Sequence, residues 1–287
     1  MTEARFYKAT DDGVQCLLCP HHCRIKEGGR GLCRSRECRD GKLYALSYGR
    51  PCALAIDPVE KKPLNHFMPG TRCLSLSCTG CNLSCRWCQN SDISQAAPEQ
   101  VESAEWSPEE IVDAALRRGL PSIAYTYTEP LTWWEYMYDI VVLAREKGLR
   151  NILVTAGFAE KEPMRELLPY VDAANIDIKS MDDAFYRKYC GSGLAPVLEN
   201  TLLMHSAGIH VEVTNILVTS LNDSEEQVSA LCRWMVESGL RDVPLHFSRF
   251  FPRYRFTDVG PTPKPTLLRA REVALSHGIR TVHLGNM

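Results

Sequence analysis

The chain has 287 residues, 45% of them apolar and 24% charged, an ordinary globular composition with ample length for one large core. A formal net charge of −2 argues against bulk electrostatic binding to nucleic acid or to an anionic membrane, and no run of about 18 apolar residues is present to cross a bilayer. Thirteen cysteines behind a charged start, Met1-Thr2-Glu3-Ala4-Arg5, with no apolar signal segment, point to metal or redox chemistry in a reducing cytoplasm instead of disulfides.

The first forty residues carry Cys16, Cys19, Cys23 and Cys33 at C-x2-C-x3-C-x9-C spacing, with Gly28, Gly29 and Gly31 supplying turns. So polar and glycine-rich a stretch is not expected to bury a core of its own, and a metal staple is its natural stabiliser. Zinc and an iron–sulfur cluster both fit, and His21 or His22 could replace one thiolate. Four ligands can close the site, which favours a structural role. Cys38 and Cys52 fall outside the pattern and read as plain thiols. Short strands are expected at 42–46 and 53–56. The polar loop Asp57-Pro58-Val59-Glu60-Lys61-Lys62-Pro63 follows. Its paired lysines read most simply as a solvated turn, with anion binding as the alternative.

From residue 72 the pattern changes. The alternating strand Cys73-Leu74-Ser75-Leu76-Ser77 delivers a loop with Cys81, Cys85 and Cys88 at C-x3-C-x2-C spacing. Thiolates are soft ligands, and this spacing lets one loop wrap a cubane iron–sulfur cluster. Three thiolates leave one iron open to another ligand. Cys78 stands three residues before the triplet, so an all-thiolate zinc knot without chemistry is the competing reading. Beyond it, Ser107-Pro108-Glu109-Glu110 is a capping box that opens a helix ending near Gly119. Strands are predicted at 122–127, 151–155, 174–178, 210–218, 243–247 and 281–284. Helices are predicted at 132–147, 160–168, 182–189, 196–207, from an Asn222-Asp223 cap to 238, and at 266–277. Such recurring βα units predict a parallel sheet with right-handed crossovers. A partial or near-complete (β/α) barrel is favoured over a flat doubly wound sheet, since no G-x-G-x-x-G follows the first strand.

In such barrels chemistry sits at the C-terminal ends of strands. Here those ends carry Thr126-Tyr127-Thr128-Glu129, Thr155-Ala156-Gly157, Asp177-Ile178-Lys179, Glu212 with Thr214, and His246 followed by Ser248-Arg249. Any one of them could be a solvated end or an ion pair. Recurring strand after strand around one mouth, they suit a zwitterionic ligand with ribose hydroxyls: a carboxylate for its amine, a lysine for its carboxylate, neutral groups for its sugar.

The C-x3-C-x2-C loop with Trp87 before its third cysteine, set on a βα barrel, resembles the radical S-adenosylmethionine (SAM) superfamily. Within it the chain resembles pyruvate formate-lyase activating enzymes. It is more similar still to the radical SAM member of the AmmeMemoRadiSam system. The runs 55–64, Cys88-Gln89-Asn90, 125–130, 175–179, 244–250 and Cys19-Pro20-His21-His22-Cys23 carry that likeness. The resemblance implies a [4Fe–4S] cluster on Cys81, Cys85 and Cys88, with the amine and carboxylate of SAM on the open iron. It implies Glu129 of the Thr128-Glu129 pair at the methionyl amine, Asp177 and Lys179 near the methionyl group, His246 on the ribose side, and the Trp87 backbone at adenine. Thr155 and Thr214 join the expected cofactor contacts as neutral strand-end groups; no catalytic residue is assigned. Three departures stand out. Tyr127-Thr128-Glu129 replaces Gly-Gly-Glu, Thr155-Ala156-Gly157 replaces Thr-Asn-Gly, and Val154 replaces a preceding acid, so a bound monovalent cation does not carry over.

The implied activity is reductive cleavage of SAM to a 5′-deoxyadenosyl radical that takes hydrogen from a small molecule or a partner protein. Activation of a glycyl radical enzyme is the alternative, and a non-enzymatic zinc-binding protein the alternative of another class. The implied partners are an electron donor such as flavodoxin or ferredoxin, and a Memo-like protein or a glycyl radical enzyme. The expected organisation is a cysteine-rich metal-binding segment over residues 1–66, with zinc or an iron–sulfur cluster, followed by a radical SAM barrel over 67–287.

Overall fold

A computed structural model describes residues 1–287. The N-terminal stretch forms six short strands: β1 (Thr2–Glu3), β2 (Tyr7–Thr10), β3 (Gly13–Cys16), β4 (Arg24–Lys26), β5 (Arg36–Arg39) and β6 (Lys42–Ala45). They make two antiparallel sheets, in the orders β2-β3-β4 and β1-β6-β5. The stretch builds no core cluster of its own and shares that of the larger sheet. Val14, Ile25, Cys38 and Leu43 are buried and belong to the main hydrophobic core. In strands this short, alternate residues share a face, so one or two apolar side chains per strand are enough to seat each sheet.

The remaining strands form one eight-stranded sheet whose spatial order follows the chain. In sequence the elements are β7 (Pro51–Pro58), β8 (Arg72–Cys78), α1 (Ser91–Ser94), α2 (Pro108–Arg117), β9 (Ser122–Tyr125) and α3 (Trp134–Glu146). Then come β10 (Arg150–Thr155), α4 (Lys161–Leu167), β11 (Ala173–Asp177), α5 (Asp183–Phe185) and a π-helical turn over Tyr186–Cys190. The chain finishes with α6 (Ala195–Ser206), β12 (His210–Leu217), α7 (Glu225–Glu237), β13 (Leu245–Arg249), α8 (Lys264–Ser276) and β14 (Val282–Gly285). Strands β8 to β14 are parallel, as βα crossovers require. β7 pairs antiparallel with β8. It lies within the stretch expected as the N-terminal segment, yet it is an edge of the main sheet. No helix is long and apolar enough to cross a membrane.

The sheet is a partial barrel, with β7 and β14 as its two edges. The chain after β7 folds back across the inside of its N-terminal half. Leu64 is buried there, Pro63 O accepts from Asn175 Nδ2 at 2.8 Å, and the Asn65 and His66 amides donate to Glu212 at 3.1 and 2.8 Å. His66 Nε2 meets His283 Nε2 of β14 at 2.8 Å, so this segment spans the gap between the two edges.

Local chemistry sets the helix starts. Ser107 and Glu110 form the predicted capping box: the Ser107 amide donates to Glu110 at 2.7 Å and the Glu110 amide to Ser107 Oγ at 3.3 Å. At α7 the cap is Ser224, which accepts from the Gln227 amide, and not Asn222-Asp223. Those two residues are used one turn earlier, accepting from the Val218 and Ser220 amides at 2.6 and 2.9 Å. Asx residues serve loop turns as readily as helix caps, and the sequence does not separate the two uses.

Candidate functional site

The loop after β8 alternates in exposure. Leu83, Cys85 and Trp87 face inward, whereas Ser84 and Arg86 face solvent. The loop is sewn to its surroundings by backbone hydrogen bonds from the Ser84 amide to Cys190 O (2.7 Å) and from the Arg86 amide to Tyr189 O (3.1 Å). Cys81, Cys85 and Cys88 all line one cavity of about 340 Å³, within the range of small-molecule sites. Cys78, at the end of β8, is buried in the core and is not part of that lining. Burial pushes the Cys81 thiol well above its ordinary value and raises Cys88. Cys85 is held lower, by the neighbouring Cys190 thiol against the effect of burial and then by the nearby Lys179 ammonium.

Glu129 enters the cavity from the turn after β9. Its Oε1 accepts from Thr155 Oγ1 (2.6 Å) and from the Leu131 amide (3.3 Å), and its Oε2 from the Ala156 amide (2.8 Å). Burial raises its pKa, and these donors only partly offset the rise. Tyr127, in the place of a glycine, takes the left-handed conformation with φ 66°. Its carbonyl accepts from Asn90 Nδ2 of the cysteine loop (2.8 Å), its hydroxyl donates to Asp57, and Lys62 Nζ lies 4.4 Å from its ring centroid. These contacts hold a backbone shape that costs a non-glycine residue about 1–2 kcal/mol.

Lys179, only 9% exposed, meets Asp177 at 3.1 Å. Burial opposes its charge, but Asp177 and the Cys85 thiolate outweigh burial and hold the ammonium well above its ordinary range. Its backbone is fixed by Tyr186 Oη, which accepts from the Lys179 amide (2.8 Å), and by Asn222 Nδ2, which donates to its carbonyl (2.6 Å). Thr128 lines the cavity while its hydroxyl donates to Cys78 O (2.7 Å). Thr214 also lines it, 5% exposed, and its hydroxyl has no partner. Trp87 is buried with its ring beside Phe185 and Phe256.

Of the expected residues, His246 is the one placed elsewhere. It is 4% exposed, its Nε2 meets Glu212 at 2.6 Å, its ring stacks on His283, and it does not line the cavity. Glu212 binds it, and the same carboxylate accepts from the Asn65 and His66 amides of the folded-back segment after β7. Ser248 lines the cavity as a strand-end residue, Lys61 and Lys62 line it as well, and Asn90 and Asn286 do so without having been assigned a role. Lys62 is no solvated turn residue. It is buried, with Nζ 2.7 Å from Asp57 Oδ2, while Lys61 pairs with Asp57 from the exposed side. A larger open groove of about 1360 Å³ between the N-terminal sheets and α2–α3 contains no cysteine, and size alone does not make it the reactive site.

The N-terminal cysteines Cys16, Cys19, Cys23 and Cys33 line a separate narrow void with His21, Arg36 and Asn82. Burial raises Cys16 to about 11 and Cys19 to about 12, so without a metal these are neutral thiols. His21 Nε2 meets Asn82 O at 2.7 Å, and His22 pairs with Glu160 at 2.9 Å.

A profile of the radical SAM superfamily matches residues 76–235. The chain belongs to the radical SAM superfamily. The uncharacterized protein MJ0808 of Methanocaldococcus jannaschii is 50% identical over 288 residues, covering 100% of this chain and 86% of that one. The pyruvate formate-lyase-activating enzyme of Clostridium pasteurianum is 28% identical over 158 residues, covering 53% of this chain and 64% of that enzyme. Among solved structures, Streptococcus suis SuiB bound to S-adenosylmethionine aligns with a TM-score of 0.56 at 14% identity, over 74% of this chain and 51% of that one; this likeness is one of fold. The radical SAM family implies a [4Fe–4S] cluster and SAM, and the residues present fit both. Three thiols on one loop border free volume, and no three His, Cys, Asp or Glu side chains are arranged around a single-ion position. A buried carboxylate, a buried ammonium and the unpartnered Thr214 hydroxyl face the same space.

Proposed function

We propose that this radical SAM enzyme generates a 5′-deoxyadenosyl radical for hydrogen abstraction from a small molecule or a partner protein. The observation that carries the reading is the single cavity bordered by Cys81, Cys85, Cys88, Glu129 and Lys179. When bound, a [4Fe–4S] cluster would supply the single electron that reductive cleavage of SAM needs. Cys81, Cys85 and Cys88 would hold the cluster, and the turning away of Cys78 into the core favours three protein thiolates over a four-thiolate zinc knot. Glu129 would accept hydrogen bonds from the methionyl amine and Lys179 would donate to the carboxylate, while Asp177 keeps Lys179 charged and aimed. Thr155 fixes the Glu129 carboxylate, and Thr214 offers its free hydroxyl to the sugar. Thr128 ties the Glu129 turn to β8, and the Trp87 backbone would border the adenine.

Incubating the reduced, cluster-loaded protein with SAM is expected to yield 5′-deoxyadenosine, with deuterium transferred from a labelled substrate. An intact cluster that yields none overturns the reading, and a colourless zinc protein after anaerobic iron reconstitution returns the chain to the zinc-binding class. The activating-enzyme relatives favour a second reading, a glycyl radical enzyme as target. Its signature is a glycyl radical on that protein by electron paramagnetic resonance.

Two further parts of the molecule enter this proposal. The N-terminal sheets pack on the barrel core and are held by a metal on Cys16, Cys19, Cys23 and Cys33. An acidic one-electron carrier such as flavodoxin or ferredoxin docks on the outer face of the cysteine loop. There Ser84, Arg86, Arg187, Lys188, Gly191 and Arg255 border a pocket without an acidic residue, and the Arg255 amide donates to Arg86 O at 2.9 Å.

A further inference from the structure

We infer that Cys16, Cys19, Cys23 and Cys33 hold a second iron–sulfur cluster, not a zinc ion, and that the buried Arg36 donates hydrogen bonds to its sulfurs. This deepens the N-terminal metal site proposed above and does not depend on the assignments at the barrel cavity.

The four side chains border one small space whose wall also includes His21, Ile25, Gly31, Arg36 and Asn82. They do not converge as a single ion requires: with Zn–S near 2.3 Å, tetrahedral thiolates stand only about 3.8 Å apart. A cubane separates its thiolates further and puts its own iron and sulfide between them. The thiols of the barrel loop likewise border a space without converging on a point. Gly31 is part of the wall. A Cβ there would lie 3.7 Å from Cys33 Sγ and 3.8 Å from Cys23 Sγ, so any larger side chain would grow toward both.

Arg36 supplies the independent observation. It is 1% exposed and its Nη2 pairs with Glu135 at 2.6 Å, but Nε and Nη1 have no partner. Buried guanidinium N–H groups without acceptors are rare in folded proteins and call for an explanation. Neutral thiols are weak acceptors, whereas thiolates and cluster sulfides accept well. Ser35 adds a third donor, its hydroxyl 3.3 Å from Cys33 Sγ. The site also abuts the catalytic loop. A Cβ on Gly80, whose φ is 96°, would come within 2.5 Å of Cys33 O, and Asn82 borders the N-terminal void. A cluster here would therefore brace the loop that carries Cys81.

The test uses the full chain, reconstituted anaerobically with iron and sulfide, with zinc offered in parallel. The Cys81→Ala/Cys85→Ala/Cys88→Ala variant is expected to keep about four iron and four sulfide per chain with an absorption band near 400 nm. One zinc without sulfide, or no metal, overturns the inference. Should that variant fail to fold, the wild type is expected to hold about eight iron, and Cys19→Ala/Cys33→Ala about four; a wild type with about four iron overturns it equally. Iron retained by the triple variant alongside a wild type that yields no 5′-deoxyadenosine would remove the proposed function and leave this site standing. Arg36→Lys keeps an ion pair for Glu135 and removes the unpartnered N–H groups. It is expected to bind the same iron with a more negative midpoint potential and faster loss to a chelator. Unchanged potential and loss rate would discard the role of Arg36.

Discussion

Burial raises the Glu129 carboxyl, and three donors converging on its two oxygens offset part of that rise. Lys179 keeps its charge in the same cavity because Asp177 stands beside it. A charge-assisted hydrogen bond is worth roughly 1.5–3 kcal/mol, so Glu129→Gln or Lys179→Ala is expected to weaken SAM binding by about 10- to 150-fold. Titrations on folded, cluster-loaded variants, with melting curves beside them, check this; unchanged affinity in both variants discards the assignment. His246 behaves differently. His246→Ala is expected to leave SAM affinity within about twofold, since the side chain does not reach the cavity. It should cost about 1–3 kcal/mol of stability by removing one donor from the buried Glu212. Burial would raise Glu212, but His210, His246 and the Asn65 and His66 amides outweigh it and hold it near 2. A carboxyl held lower in the folded state than in the unfolded one contributes stability above its unfolded value and loses it as pH falls. Wild-type melting temperature should therefore drop between about pH 4.5 and 2, and Glu212→Gln should flatten that drop.

Among elements, the cysteine loop depends on the π-helical turn that ends at Gly191. Gly191 has φ 66°, and a Cβ there would clash with Ser84 Oγ between Cys81 and Cys85. Gly191→Ala is expected to cost more than the about 1 kcal/mol of a left-handed alanine, and to lower cluster occupancy measured by iron content. Ser84→Gly in the same chain should restore part of that occupancy; no rescue would mean the contact is not what fixes the loop. The ends of β8 divide the cysteines in the same way. Cys78→Ala should leave the cluster spectrum intact and Cys85→Ala should abolish it. Equal loss in both variants would restore the zinc-knot reading.

Over the whole molecule, net charge is nearly balanced, but the outer face of the cysteine loop is not. Arg86, Arg187, Lys188 and Arg255 surround one pocket, with Asp183 pairing Arg187 at its edge. Association steered by such a face weakens with ionic strength. Flavodoxin-driven SAM cleavage is expected to slow by about tenfold or more between about 0.05 and 0.5 M salt, while dithionite-driven cleavage changes little. Lys188→Glu/Arg255→Glu should reproduce the loss at low salt. Equal salt dependence with both reductants would place the docking face elsewhere.

From residue 42 on, the order of strands and helices, the parallel sheet and the cysteine triplet were legible along the chain, because periodicity, caps and ligand spacing are local properties; the five short strands before it, β1 to β5, were not. Glu129, Asp177 and Lys179 were legible as strand-end residues, since parallel βα units bring those ends to one mouth. Tertiary structure alone decided the rest. Whether His246 faces the ligand or Glu212 depends on the segment after β7, whose Asn65 and His66 amides hold the Glu212 carboxylate. Whether Lys62 is solvated depends on Asp57 and Tyr127, which lie on different strands' ends. Arg36 reads as one more arginine in a polar stretch until the fold buries it between Glu135 and four sulfurs. In each case the deciding energy is desolvation, and desolvation belongs to the packing around a residue, which no local pattern records.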